Sequence, residues 1–270
     1  MPEGDAVWRA ARRLHQAFTG QVLIRTDFRW PSLATTTLVG ARTLEVIPRG
    51  KHMLHRVEVS GRGTLDGAWT IHSHFRMDGT WRHSATTHPP GAFRTPTVRA
   101  VLATAERTAV GDTLGMLDVV RTADEHLLVG HLGPDVLGRD WDAARAAAHL
   151  ATASGTIGAA LLDQRNLAGL GTIWTAESLF AQRISPWRPA SDLTADELVA
   201  LAVRAQKLIA GSLRYPLSTS TGDTRRGRET YVYRRLRQPC RRCGTPVSAG
   251  MVGTPPQDRN LFYCPTCQAH

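Results

Sequence analysis

All four cysteines of this 270-residue chain lie near its C-terminus as two CxxC pairs, Cys240/Cys243 and Cys264/Cys267. Few tails can satisfy that pattern. Each CxxC turns two sulfurs toward one ion, and the twenty residues between the pairs suffice for a two-stranded arm that returns the second pair to the first. A structural zinc ion held by four thiolates is therefore expected. Two disulfides are the alternative, and they require an oxidising compartment. The first thirteen residues include Glu3, Asp5, Arg9, Arg12 and Arg13 and form no apolar signal segment, and no apolar run reaches transmembrane length. A cytoplasmic protein with no membrane partner is expected.

With 42% hydrophobic residues the chain can build one large core or two moderate ones beside the metal module. Its formal charge of +10 points to a polyanionic partner, because basic faces attract phosphates at long range and gain affinity by releasing counterions. The distribution is sharper than the sum. Arg225, Arg226, Arg228, Arg234, Arg235, Arg237, Arg241 and Arg242 crowd one stretch against a single acid, Glu229. Beside a zinc hairpin, that stretch is expected to be a nucleic-acid surface, with a solvated basic linker as the plainer alternative.

Of the 33 Lys plus Arg, only Lys51 and Lys207 are lysine. Arginine keeps its proton at working pH, so a step that needs an amine must use one of these two or the chain terminus. Lys207 falls in a helical pattern that opens with the capping box Thr194 to Glu197 and stops at Gly211, and it reads as an exposed helix lysine. Lys51 sits in Pro48-Arg49-Gly50-Lys51 between two strand patterns, Leu44 to Ile47 and Met53 to Val59. A lysine facing a site and a plain loop lysine both stay open there. The terminus reads Met1-Pro2-Glu3-Gly4-Asp5, and removal of Met1 would leave Pro2 as a secondary amine. An α-amino group titrates at about 7.7–8.0, so an appreciable part is free to attack an electrophilic carbon, with Glu3 beside it as acid or base. Val7, Ala11, Leu14 and Phe18 then mark one stripe of a packed helix, which would hold the terminus in place.

Residues 20 to about 120 carry short β-rich runs, Val22 to Ile24, Leu44 to Ile47, Val57 to Val59, Trp69 to His74 and Val98 to Leu102, broken by Gly, Pro and Ser. That is the signature of a β-sandwich. Beyond His131-Leu132-Gly133-Pro134, residues from about 140 to 212 turn to Ala, Leu and helical periodicity. Within them Leu161 to Thr172 joins two helical patterns through Gly169 and Gly171. Those glycines permit close backbone approach, and the helix that follows is expected to offer unpaired amides to a phosphate; a simple helix-to-helix turn is the alternative.

Taken together, these residues resemble the bacterial formamidopyrimidine-DNA glycosylase and endonuclease VIII family, over nearly the whole chain. The resemblance rests on the PEG start, the RGK loop, FRMDG at Phe75 to Gly79, LGPDVL at Leu132 to Leu137, LLDQ…LAGLG, and the terminal CxxC…FYCPTCQ. It implies an α+β multidomain fold: an N-terminal catalytic β-sandwich with an N-terminal helix at 1–125, a helix-two-turn-helix DNA-binding domain at 126–220, and a four-cysteine zinc-finger β-hairpin at 221–270. It also implies DNA in the cleft between domains.

The resemblance supplies roles. Pro2 would attack the sugar C1′ of a damaged nucleotide, expelling the base through an iminium intermediate; Glu3 would give a proton during base loss, and Lys51 would act near the sugar and support β-elimination. Arg259 stands where the family grips phosphate and assists δ-elimination. The nucleotide must be rotated out of the stack. Met77 is then the expected wedge and Arg76 the partner of the orphaned base, against the alternative of a hairpin turn with a buried Met and an exposed Arg. Arg121, Gly171 and Thr172 are further candidate DNA contacts, whereas Trp81 and the other tryptophans read as core. The implied partner is damaged double-stranded DNA, with single-stranded or bubble DNA also open, bound by a monomer in the bacterial cytoplasm at the nucleoid. The stretch Gly111 to Leu117 lacks the Asp-Pro-Arg-Arg-Phe-Gly run of the purine-directed branch, which favours the endonuclease VIII branch and oxidised pyrimidines. Three features depart from the family: Asp5-Ala6 replaces its Pro-Glu, Thr172 replaces its Asn, and FRMDG replaces the QLY triplet of endonuclease VIII. A non-catalytic damaged-DNA-binding zinc-finger protein is the other reading, and the joint presence of Pro2, Glu3 and Lys51 speaks for the enzyme.

Overall fold

The computed structural model describes residues 2–60, 66–87 and 95–269, so Met1 lies outside the described residues. Two compact units result: one of Pro2 with Ala6–His131, the other of Glu3–Asp5 with the chain from Leu132 onward. The division passes through helix α1 (Gly4–Phe18), whose stripe of Val7, Ala10, Ala11, Leu14 and Phe18 is buried in the first unit. That is the period expected of a helix with one apolar face.

The first unit is a β-sandwich of two four-stranded antiparallel sheets. Strands β1 (Arg25–Phe28), β2 (Arg42–Arg49), β3 (His52–Val59), β4 (Gly67–His74), β5 (Thr80–Ala85), β6 (Val98–Ala103), β7 (Arg107–Asp112) and β8 (Met116–Arg121) are ordered β1-β6-β7-β5 and β2-β3-β4-β8. A short helix α2 (His126–Val129) follows. Alternate residues of both sheets meet over α1 in one core, among them Phe28, Val46, Met53, Ile71, Trp81, Leu102 and Leu117. Trp81 is 2% exposed, and its indole N–H donates to Ser73 Oγ at 3.1 Å, so it is a core residue. The expected strand at Val22 to Ile24 is displaced: Val22 makes only an isolated bridge to Arg42, and the strand starts at Arg25.

In the second unit, helices α3 (Ala143–Ala151), α4 (Ile157–Leu162), α5 (Thr172–Gln182) and α6 (Ala195–Ser212) surround Trp174, which is fully buried. Their starts are locally encoded. Asp142 accepts from the amides of Ala144 and Arg145, Thr156 from Ala159, and Thr194 with Glu197 forms the expected capping box. Lys207 is exposed on α6, which runs one residue past Gly211 to Ser212. The hairpin of β9 (Ser248–Val252) and β10 (Arg259–Tyr263) pairs residue for residue and adds Val252 and Leu261, with Val247, Cys240 and Cys264, to the same helical core. Among the described residues no helix is long and apolar enough to cross a membrane.

His55 lies inside the sandwich at 2% exposure, its Nε2 2.9 Å from Thr43 Oγ1. Burial, aided by the charge of His15, holds its pKa down to about 3. An unfolded histidine titrates near 6.5, so below that pH the unfolded chain takes up a proton that the folded chain refuses, and stability falls as pH drops toward 3. Thermal melts are therefore expected to lose midpoint between pH 7 and 5, above the carboxylate range, and His55→Leu to flatten that loss. Parallel slopes for the two proteins would exclude His55 as a source.

Candidate active site

Strand register brings three turns of the first unit to one end of its β2-β3-β4-β8 sheet. His52 pairs with His74 and His74 with Met116, so the Gly50-Lys51 turn, the 75–79 loop and the turn at 113–115 are neighbours. Gly50 has φ +59 while Lys51 does not enter the left-handed region, the pattern of a two-residue II′ hairpin. Lys51 is thus held at the tip of a hairpin. The next loop presents Arg76 and Met77 outward, and Met77 is 60% exposed, so the alternative with a buried Met does not hold. Arg76 adopts φ +51, which costs a non-glycine residue roughly 1–2 kcal/mol. Two glycines make room for this shape. A Cβ on Gly79 would lie 2.5 Å from Phe75 O, and one on Gly115 would lie 2.4 Å from Arg76 Cγ.

Beneath this end lies a chain of titratable groups that sequence reading missed. His52 Nδ1 is 2.7 Å from His72 Nε2, and His72 Nδ1 is 2.9 Å from Asp118 Oδ2. Burial first, then the charges of neighbouring histidines and Lys51, holds His52 down to about 3; burial and Lys51 hold His74 down to about 4. These imidazoles are neutral at neutral pH, so the positive charge of the sheet end comes from Arg49, Lys51 and Arg76. No sequence signal short of the exact β3–β4 register would have joined them. Arg121 is placed otherwise: its guanidinium stacks 4.2 Å over the Trp69 ring and donates to the Asp66 carbonyl.

The second unit is organised around the start of the chain. Glu3, 1% exposed, accepts from the amides of Gly171 at 2.8 Å, Ile173 at 2.8 Å and Trp174 at 3.3 Å, and so caps α5. The expectation of open amides for a phosphate is corrected here: the Gly171 amide is engaged by Glu3, and Thr172 is buried. Gly169 turns at φ +103 and its amide donates to Gln164 Oε1 at 3.0 Å; Gln164 in turn donates to Leu162 O and Leu170 O, which staples the turn. Gly4 N donates to Gly169 O at 2.9 Å. Asp5, fully buried, accepts from Trp174 Nε1 at 3.1 Å and from Ser218 Oγ at 2.6 Å.

The four cysteines are free thiols whose sulfurs all lie within 4.8 Å of one another, a group able to hold a metal ion. Convergence of all four on one point fits an ion better than two disulfides. The amides of Arg242 and Cys267 each donate to a cysteine sulfur, Cys240 and Cys264 respectively, at 3.4 Å. Burial, with Cys243 and Cys264 beside it, pushes the Cys267 thiol up to about 12, while hydrogen bonding with Thr245 brings the Cys243 thiol down to about 6. Arg259 opens β10, exposed, with its guanidinium donating to Asp258 O at 2.7 Å. The basic stretch divides. Arg225 pairs with Asp223, Arg235 is buried against Tyr231 O and Pro239 O, Arg241 donates to Thr230 O and Gly227 O, and Arg242 donates to Phe180 O. Arg226, Arg228, Arg234 and Arg237 remain exposed.

The sequence matches the family described as the formamidopyrimidine-DNA glycosylase N-terminal domain over residues 1–119, and the formamidopyrimidine-DNA glycosylase H2TH domain over residues 132–223. A protein named "Probable endonuclease 8 2" from Streptomyces coelicolor is 47% identical over 270 residues, covering 100% of this chain and 94% of that protein. The chain belongs to the formamidopyrimidine-DNA glycosylase and endonuclease 8 family. A "DNA-(apurinic or apyrimidinic site) lyase Nei2" from Mycolicibacterium smegmatis is 38% identical, covering 99% of each chain. A formamidopyrimidine-DNA glycosylase from Thermus thermophilus is 32% identical over 99% of this chain and 98% of that one. The fold is that of Lactococcus lactis Fpg, solved in complex with abasic-site DNA, with a TM-score of 0.80 over 100% of both chains at 21% identity.

β7 stops at Asp112 and β8 starts at Met116, so the connection between them holds three residues, with Leu114 buried. The α5 cap gives a direct test. A Cβ on Gly171 would stand 2.5 Å from the Glu3 carboxyl carbon. Gly171→Ala is expected to expel the carboxylate and leave amides unpaired, at on the order of 1–3 kcal/mol apiece in urea unfolding. Gly211→Ala, in open space on α6, is expected to stabilise by about 0.5–1 kcal/mol. Equal stabilities for the two variants would remove the cap from the argument.

Proposed function

We propose that this chain is a bifunctional DNA glycosylase and abasic-site lyase that removes oxidised bases, pyrimidines first, from damaged double-stranded DNA. The observation that carries the reading is an N-terminal Pro2-Glu3 pair, in a chain of this family, whose following residues are tied down one by one. Names of relatives at 47% and 38% identity, a probable endonuclease 8 and an abasic-site lyase, support the same class.

In this reading the Pro2 nitrogen bonds to C1′ as the bond from C1′ to the base breaks; the nitrogen then gives up its proton and the C1′–O4′ bond opens, O4′ taking a proton, which leaves an iminium at C1′ of the opened sugar. The leaving base takes a proton, which Glu3 is assigned to give. Both Glu3 oxygens accept from α5 amides in the free protein, which holds the carboxyl group in one orientation. The iminium acidifies the C2′ hydrogen, its loss expels the 3′ phosphate, and a second elimination expels the 5′ phosphate. Lys51 acts beside the sugar. Met77 fills the gap left by the rotated nucleotide, and Arg76 meets the orphaned base. Arg259 and the exposed arginines near it grip phosphate. The cysteines hold zinc, which fixes the hairpin and takes no part in the chemistry. The short 112–116 connection and the PEG start support pyrimidine lesions.

Borohydride reduction on lesion-bearing duplexes is expected to trap a covalent adduct, and Pro2→Gly to abolish it. Wild-type-like trapping by Pro2→Gly would remove Pro2 as nucleophile; no trapping on pyrimidine, purine and abasic substrates would leave a DNA-binding protein without chemistry. Arg259→Ala is expected to weaken binding and raise the β-product relative to the δ-product, so an unchanged ratio and affinity would refute its role. Metal analysis of the purified protein is expected to return about one zinc per chain.

A further inference from the structure

Asp5, in the first turn of α1, is fully buried. Asp5 Oδ1 accepts from the Trp174 indole on α5, and Oδ2 from Ser218 Oγ at 2.6 Å and, more weakly, from Ser212 Oγ at 3.5 Å at the end of α6. Ser212 Oγ also receives the Thr219 amide at 3.1 Å, so the same small cluster orders the segment after α6. Nothing in the proposed chemistry uses this carboxylate. A buried acid is costly unless its hydrogen bonds are satisfied, and these three donors converge on it from parts of the chain about 170 to 210 residues away.

Resting on the glycosylase reading above, we propose that Asp5 is the positioning residue for the Pro2 nucleophile. Residues 3, 4 and 5 are each hydrogen-bonded to the second unit: Glu3 to the α5 amides, Gly4 N to Gly169 O, and Asp5 to Trp174 and Ser218. The pyrrolidine ring locks its own N–Cα torsion. Two backbone torsions, φ of Glu3 and ψ of Pro2, are then left to set where the nitrogen lies. Without the Asp5 anchor, the first turn of α1 can pivot about the Glu3 cap and the nitrogen moves with it. Reaction through a near-attack geometry is sensitive to such shifts, and a displacement of about 1 Å can cost on the order of a hundredfold in rate. Proline at this position would stiffen the chain by restricting φ. The carboxylate achieves the same end by tying the chain to α5 and α6.

The test is a double-mutant cycle of Asp5→Ala and Ser218→Ala in the full chain, read by single-turnover borohydride trapping on an abasic duplex and by affinity for an uncleavable abasic analogue. Asp5→Ala is expected to slow imine formation about tenfold or more with affinity within about twofold. Ser218→Ala, which removes one hydroxyl and keeps the fold testable if Asp5→Ala does not fold, is expected to slow it several-fold. The double variant is expected to be no slower than Asp5→Ala, because the two partners act through one contact. Trapping at wild-type rate by Ser218→Ala or Asp5→Ala, additive losses, or losses that only track affinity would overturn the proposal. Absence of trapping by the wild-type chain would overturn the glycosylase reading and this one with it; equal trapping by wild type and variants would overturn this one alone.

Discussion

The contact on which the most rests is the Glu3 carboxylate at the start of α5. Helix starts leave amides unpaired and carry partial positive charge, and here a carboxylate from the other end of the chain meets both needs. Gly171 is glycine because a Cβ would occupy the carboxyl position. Gly169 is glycine because the turn before it needs a positive φ. Gln164 closes that turn on itself, and Gly133, whose Cβ would meet Arg165 O at 2.4 Å, lets the LGPDVL segment pack beside it. Motifs scattered over the sequence thus serve one local arrangement.

The first unit solves a different problem by register. Its polar and charged turns gather at one sheet end because antiparallel pairing aligns the end of β2, the start of β3, the end of β4 and the start of β8. Small residues at Gly79 and Gly115 allow an arginine in left-handed backbone to stand next to an exposed methionine. Strain at such a loop is a feature commonly kept for function. The buried imidazoles beneath stay neutral, so the field there is set by Arg49, Lys51 and Arg76.

How far the sequence could be read follows the range of the interaction. The cysteine module, the α6 capping box and the α1 stripe were legible because CxxC spacing, Thr194 to Glu197 and a helical period are all local. β5, β7 and β8 were not, since Thr80–Ala85 mixes charge with alanine and Arg107–Asp112 is buried along most of its length, so neither alternates cleanly. The cap by Glu3 spans 168 residues to Gly171, and nothing near either residue announces it. A helix start with glycine read as an open anion site, and the anion turned out to belong to the protein. The metal-held tail read as a separate domain at 221–270, yet Val247, Val252 and Leu261 complete the core of the helices.

Nearly all of the positive charge sits on arginine, and the stretch from 225 to 242 shows why that choice matters. A planar fork of donors can span two carbonyls at once, as Arg235 and Arg241 do, which an ammonium on a flexible stem cannot match. Half of this stretch acts as mortar between loops that have little regular secondary structure. Wholesale exchange to lysine would preserve the net charge and the electrostatic potential seen from afar, while the loops between α6 and β9 lost the ties that give them shape.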